Sequence, residues 1–265
     1  MGTEGEHALI DMSQPEAAAL LARSPIAVIP TGSVEQHGPH LPFGTDYFAA
    51  WIIARRMARD LDALLLPFTP LGVTPIHMSF VGTISISPES YMGLLADVCE
   101  SIIQHGAQRL VIVNWHELNK PFIDQVASRL QLKHAVRFVL VQAHFVALGL
   151  FGQEVGLTHG GLLEALPVLA YDPSLVKLER ATNPSPRDTA SRLDKLRRGK
   201  EVYTVVKDVR EMYPTGWYGT LEGATVEKAH AFLEAVSAHC TQQVREALET
   251  LATSKTLTPH SNSPL

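Results

Sequence analysis

The feature that most limits the possible folds is a series of short apolar runs separated by segments with helical periodicity. Residues 26–30, 110–113 and 138–141 are apolar at consecutive positions rather than at alternate ones. A strand with this pattern is buried on both faces, which is typical of a parallel sheet covered by helices. The sequence therefore predicts an α/β protein: a three-layer α/β/α sandwich with a mostly parallel central sheet.

The chain reads as one domain. No internal repeat and no linker divides it, so we expect a single domain over residues 1–254 and a disordered tail at residues 255–265. Residues 171–203 are polar and rich in Pro, Ser and Arg, which predicts an extended loop, and residues 205–209 form a candidate late strand. The basic run at residues 195–200 favours a solvated face.

Composition excludes several classes of function. The net charge of −5 argues against a nucleic-acid partner, because phosphate binding needs clustered Lys and Arg. No apolar stretch approaches the roughly 20 residues that a membrane span needs, and the N-terminus shows no signal peptide. Cys99 and Cys240 lie far apart in helix-like segments, which predicts reduced thiols. Together these features predict a soluble cytoplasmic protein without a membrane or nucleic-acid partner.

Residue types that bind metals cluster where the predicted strands end and where the predicted helices begin. Glu35 and His37 follow the first apolar run, Asp46 opens the next helical segment, and His116 and Glu117 follow the second run. A third cluster, residues 158–164, opens a later helix. Because active sites in such sheets form outside the carboxyl ends of the strands, we expect these side chains to lie close together.

The chemistry of these side chains fits a metal centre. Glu35 and His37 are two positions apart, so they point the same way on an extended segment. Two carboxylates with one or two imidazoles suit Zn²⁺, Mn²⁺ or Fe²⁺, and Asp46 could bridge a pair of ions. A lone histidine in such a loop is more often a turn residue, but three clusters at element ends favour a metal site. Ser33 lacks the Gly-x-Ser-x-Gly turn of a serine hydrolase, and no phosphate-binding glycine loop is present.

The segments around these residues resemble the creatininase (creatinine amidohydrolase) family. Residues 32–42, Gly-Ser-Val-Glu-Gln-His-Gly-Pro-His-Leu-Pro, with Thr45 and Asp46, are similar to the family's first signature. His77 with the segment at residues 80–85 resembles the next family segment, and His159-Gly-Gly-x-x-Glu164 resembles its His-Ala-Gly-x-x-Glu. Residues 215–219 and 224–225 resemble its C-terminal loop and helix start, so the resemblance covers about residues 25–251.

The resemblance implies a hydrolase that uses two divalent ions per subunit, most readily Zn²⁺, with Mn²⁺ or Fe²⁺ as alternatives. It implies cleavage of a C–N bond in a small amide, cyclic amide or formamide by a metal-activated hydroxide. It also implies a homo-oligomer, often a hexamer. By motif position, Glu35, Asp46 and His116 would hold one ion, and His37 with the bridging Asp46 the other. His159 would lie over the substrate as proton donor or orienter.

One family segment departs from the pattern. Leu118 stands where creatininase itself supplies a carboxylate to the second ion, and leucine cannot coordinate. Glu117, one residue earlier, and Glu164 are the two candidates to replace that carboxylate, and both are candidate catalytic residues. Trp115 replaces a glycine, which should reshape the pocket wall and makes creatinine a poor expectation for the substrate.

Two other functions fit the same residues. The ion pair could serve hydrolysis of a different bond, such as the C–C bond of a cyclic ketone or the ester bond of a lactone. The chain could instead be a non-catalytic metal-binding scaffold that lost one ion site through Leu118.

Overall fold

The computed structural model describes residues 7–155, 158–199 and 201–253, so the predicted tail at residues 255–265 lies outside the described residues. Its sheet has four strands: β1 (Ile26–Thr31), β2 (Leu64–Leu65), β3 (Arg109–Asn114) and β4 (Arg137–Gln142). Their order is β2-β1-β3-β4, and every neighbouring pair is parallel. The predicted parallel sheet is confirmed.

Eight α-helices accompany the sheet in the described part of the chain. They are α1 (Gln14–Arg23), α2 (Thr45–Asp60), α3 (Pro88–Gln104), α4 (Lys120–Lys133), α5 (Ala143–Val155), α6 (Leu162–Tyr171), α7 (Arg187–Arg197) and α8 (Val226–Thr253). None of the described helices combines the length and the apolar character that crossing a membrane requires.

Successive residues of the strands feed two separate apolar cores. Val28 and Val111 pack with residues of α2, α5, α6 and α8 on one face, whereas Ile29 and Ile112 pack with residues of α1, α3 and α4 on the other. Because side chains alternate between the faces of a strand, a strand that is buried throughout needs helices on both sides. The three-layer α/β/α sandwich predicted from the apolar runs is confirmed.

The segment after α6 departs from the sequence prediction. Residues 187–197 form α7 instead of an extended loop, because Ala190 and Leu193 pack against a third, smaller apolar cluster. Residues 205–209 are not a strand. Val206 and Val209 are buried in that same cluster, but this segment forms no ladder with the sheet. The helix at residues 187–197 and the burial of Val206 and Val209 both result from packing in this third cluster. The polar composition of the segment gives no indication of that packing.

Side-chain amides tie together the loops that leave the sheet. Thr31 Oγ1 donates to Asn114 Oδ1 at 2.9 Å, which joins the carboxyl ends of β1 and β3. Asn119 Nδ2 donates to the carbonyl of Gly32 at 2.8 Å, and Asn119 Oδ1 accepts from the amide of Val73 at 3.0 Å. Three loops are thereby held at one edge of the sheet, and all of these bonds are buried.

The first turn of α2 packs directly against the backbone of Gly32. A Cβ atom at Gly32 would lie 2.5 Å from the backbone nitrogen of Tyr47 and 2.7 Å from the carbonyl carbon of Asp46. Backbone atoms cannot move aside as a flexible side chain can, so this position requires glycine for close approach.

We therefore expect Gly32→Ala to displace the start of α2 and to lower the free energy of unfolding by about 1–3 kcal/mol, as overpacking does. Gly93→Ala is the control, because a Cβ atom at Gly93 on α3 meets nothing within 4 Å. Alanine favours a helix over glycine, so this control should be neutral or stabilising by up to about 1 kcal/mol. Urea unfolding of both variants measures the difference, and equal stabilities would contradict the close approach.

Candidate metal centre and its pocket

Six of the residues predicted from the sequence meet at the carboxyl edge of the sheet. Their ligand atoms form three groups, and within each group the atoms lie within 4.8 Å of one another. The groups are Glu35, His37 and His159; Glu35, Asp46 and His116; and His37, Asp46 and Glu164. Glu35, His37, Asp46 and His116 are 1–4% exposed, so the groups lie inside the protein. The described residues thus contain sets of carboxylate and imidazole ligands of the kind that bind transition metals.

Asp46 belongs to two of these groups. As the second residue of α2, it places Oδ1 3.2 Å from His37 Nε2 and Oδ2 2.9 Å from His116 Nδ1. Ser33 Oγ donates to Oδ2 at 2.8 Å and fixes the carboxylate. Each oxygen therefore faces a different imidazole, which is the geometry a bridging carboxylate needs.

Glu35 is held in the site by two histidines and a threonine. Its Oε2 lies 3.3 Å from His116 Nδ1 and 3.2 Å from His77 Nδ1, and it accepts a hydrogen bond from Thr74 Oγ1. Thr74 was not identified from the sequence, because no local pattern distinguishes a threonine that orients a carboxylate 39 residues away.

Backbone carbonyls set the tautomers of the two imidazoles. His37 Nδ1 lies 3.1 Å from the carbonyl of Glu35, and His116 Nε2 lies 3.2 Å from the carbonyl of Val73. A carbonyl only accepts, so these nitrogens carry the protons and the opposite nitrogen of each ring faces the carboxylates. Nε2 of His37 is buried, and the groups that face it are the carboxylates of Asp46, Glu164 and Glu35 at 3.2, 3.8 and 3.9 Å. A buried imidazole nitrogen that faces carboxylates fits a metal ligand.

The electrostatics of the site favour positive charge. Burial raises the pKa of Glu164 to about 7. Burial opposes the charged form of His37, but Asp46 and Glu164 outweigh it and raise the pKa of His37 to about 10. The pKa of His116 likewise rises to about 9, because Glu35 and Asp46 outweigh its burial. Protons or cations must therefore balance the buried carboxylates.

His159 lies over this site in a stack of rings. Its ring centroid is 4.5 Å from that of His37 and 4.8 Å from that of Tyr213, and its Nε2 lies 2.8 Å from the carbonyl of Gln36. Backbone hydrogen bonds in both directions with Tyr218 hold the segment in place. Burial, together with the nearby charge of His37, lowers the pKa of His159 well below its usual value, so the ring is neutral.

Glu164 and Glu117 take different positions. Glu164 lies in the first turn of α6, accepts from the amide of Gly160, and places Oε1 3.8 Å from His37 Nε2. Glu117 belongs to none of the three groups; its Oε2 lies 2.7 Å from Arg197 Nη2 and 3.0 Å from Arg198 Nε. The chain turns into a 3-10 helix at Glu117, which directs that carboxylate toward the arginines at the end of α7.

A pocket of about 60 Å³ opens beside these groups. Besides the metal-binding residue types, its wall includes side chains from the segment after β3, from α5, from the end of α7 and from the loop before α8: Trp115, Leu118, His144, Asp194, Arg197, Arg198, Met212 and Tyr213. The prediction of a solvated basic face is wrong for Arg197 and Arg198, whose side chains are 15% and 20% exposed. Lys195 on the same run is exposed, as predicted.

Comparisons with known proteins agree with this site. The sequence model of the family described as "Creatininase: Creatinine amidohydrolase" matches residues 10–244. The mycofactocin precursor peptide peptidase of Mycobacterium ulcerans is 32% identical over 222 residues, which is 80% of this chain and 82% of the relative. The creatinine amidohydrolase of Pseudomonas putida is 28% identical over 192 residues, 64% of this chain and 73% of the relative.

A solved structure shows the same fold. A mutant creatininase described as Zn-Zn type superposes with a TM-score of 0.75 at 23% identity, covering 91% of this chain and 98% of the other. With the family model matched over most of the chain and a relative above 30% identity covered over most of its length, this chain belongs to the creatininase family of amidohydrolases.

Proposed function

We propose that this protein is a binuclear metal-dependent hydrolase that cleaves a C–N bond of a small amide, cyclic amide or formamide. The observation that carries the proposal is the pair of ligand groups that share Asp46. Glu35, Asp46 and His116 would hold one divalent ion, and His37, Asp46 and Glu164 the other. Zn²⁺ is the first expectation, supported by the structural relative described as Zn-Zn type, with Mn²⁺ or Fe²⁺ as alternatives.

When bound, the ions would supply an activated water and a polarised carbonyl. The residues of the chain provide orientation and proton handling. His159 donates from Nε2 to the Gln36 carbonyl, so its neutral ring keeps Nδ1 as an acceptor for a substrate N–H or a water. This tautomer favours an orienting role for His159 over that of proton donor. Glu164, with a pKa of about 7, can exchange a proton near neutral pH until it binds an ion.

The candidate ligand groups support the alternative functions to different degrees. A scaffold that lost one ion through Leu118 is not required, because Glu164 completes the second ligand group. Hydrolysis of an ester, lactone or C–C bond could use the same groups, and a peptide bond is a further C–N substrate because one relative is named a peptidase. The homo-oligomer, a hexamer by resemblance, and the cytoplasmic location stay predictions.

His37→Ala tests the site assignment. It removes the imidazole nitrogen of one ligand group, so we expect metal content to fall from about two ions per chain to about one and hydrolysis of an amide panel to fall about 100-fold or more. His105→Ala is the control, because His105 is exposed at the end of α3. Elemental analysis and amine release measure the two effects. If His37→Ala keeps two ions and full activity, the site assignment is refuted. If the wild type binds two ions but hydrolyses no amide, ester or lactone, the result favours the non-catalytic scaffold.

Ion binding should release protons. In the ion-free protein the pKa values of His37, about 10, and His116, about 9, keep both imidazoles protonated at neutral pH. An ion needs the neutral rings, so it competes with these protons; its affinity should weaken as pH falls and strengthen as pH rises toward 9–10. Calorimetric titration with Zn²⁺ at pH 7.5 in buffers of different ionisation enthalpy should show about two protons released when both groups fill. A buffer-independent heat would contradict these pKa shifts.

A further inference from the structure

One wall of the pocket carries nitrogen atoms that are buried without a hydrogen-bond partner. They are Nε1 of Trp115, both ring nitrogens of His144, and Nη1 of Arg198, whose Nε faces the carboxylates of Glu117 and Asp194. All three residues line the pocket that also contains Glu35, Asp46, His116 and Glu164. Trp115 follows β3, His144 is the second residue of α5, and Arg198 follows α7, so three distant segments bring these groups together.

Ring contacts connect the three side chains. The ring centroids of Trp115 and His144 are 6.4 Å apart, and those of His144 and Phe145 are 4.0 Å apart. The Arg198 guanidinium carbon lies 5.6 Å from the centroid of the Phe145 ring. The three side chains are therefore close neighbours, and all of them line the same pocket.

The neighbouring charges hold Arg198 in place without using all of its donors. Glu117 Oε2 and Asp194 Oδ1 each face both Arg197 and Arg198, so two guanidinium groups meet two carboxylates. Arg197 donates from Nε and Nη2 to these carboxylates, whereas Nη1 of Arg198 has no acceptor. The other oxygen of Asp194 accepts from Tyr218. The cluster is neutral, and Nη1 of Arg198, a residue that lines the pocket, remains an unused donor.

The unused groups identify the chemistry of a ligand. An indole nitrogen and a guanidinium only donate, and burial of a donor without an acceptor is costly. Burial and the charge of Arg198 lower the pKa of His144 to about 3, so its neutral ring contributes one more N–H. A carboxylate has two oxygens that only accept, and it pairs with guanidinium more strongly than a neutral acceptor does. The second nitrogen of the neutral His144 ring only accepts, so the donors of this wall are one N–H each from Trp115 and His144 and the Nη1 group of Arg198.

We propose that Trp115, His144 and Arg198 form a subsite for a carboxylate of the substrate, beside the amide that is hydrolysed. The substrate class would then be an amide with a free carboxylate within a few bonds of the scissile C–N bond, such as an N-acyl amino acid or the C-terminal residue of a short peptide. This inference rests on the proposed function, because the subsite shares its pocket with the metal-binding groups. It also gives Trp115, which replaces a family glycine, a role in specificity.

Paired ligands test the subsite by binding. Calorimetric titration of the full-length, Zn²⁺-loaded protein at pH 7.5 compares N-acetylglycine with N-acetylglycinamide, and N-acetylalanine with N-acetylalaninamide. We expect each acid to bind about 10-fold or more tightly than its amide, as a charge-assisted hydrogen bond allows. Arg198→Gln should remove most of this preference, and Trp115→Phe, which keeps an aromatic ring but lacks the N–H, should reduce it.

Lys195→Gln is the matched control, because it removes the same charge from an exposed position on α7 and should keep the preference. Equal binding of acid and amide by the wild type, or no binding of either, would overturn the subsite. A preference that persists in both Arg198→Gln and Trp115→Phe would also overturn it, because the carboxylate would then be bound by the ions. If Arg198→Gln does not fold, Trp115→Phe alone decides.

Amine release from the same compounds separates this inference from the proposed function. A preference for the acids without hydrolysis of any compound would count against the hydrolase and support the subsite. Hydrolysis without a preference for the acids would leave the hydrolase standing and overturn the subsite.

Discussion

The structure depends on the burial of three carboxylates in one small volume. Glu35 and Asp46 are almost fully buried and Glu164 lies beside them. Ionised carboxylates in such surroundings cost several kcal/mol each unless nearby groups compensate. Hydroxyls of Ser33 and Thr74 donate to them, but these bonds add no positive charge. Charged imidazoles or bound cations must complete the balance, so ion binding and the stability of this region are linked.

The sheet makes this arrangement possible by bringing distant segments to one edge. Parallel strands end on the same side, so the loops after β1 and β3 meet, and the bonds of Asn119 tie them to a third loop. Close packing of Gly32 against the first turn of α2 then places Asp46 between two imidazoles. The position of Asp46 thus follows from backbone packing outside the candidate ligand set itself.

The pocket has two walls, and different segments of the chain supply them. The metal-binding residue types come from strand ends and helix starts within the region that the family model matches. The other wall combines Trp115, His144 and the end of α7, where an ion-pair cluster orients Arg198. Under the proposed function, changes in this second wall would alter the substrate without disturbing the candidate ligands, in a family whose relatives carry different names.

The sequence by itself determined the parallel sheet and its two helical layers, because uninterrupted apolar strands can be buried only between two covering faces. It also determined which residue types meet at the sheet edge, because carboxyl ends of parallel strands share one side. Only the tertiary structure decided between Glu164 and Glu117 as the residue beside His37. It also decided that residues 187–197 form a helix whose end reaches the pocket. Side-chain direction and ion pairing across about 80 residues depend on how distant segments approach each other, and no local periodicity encodes that approach.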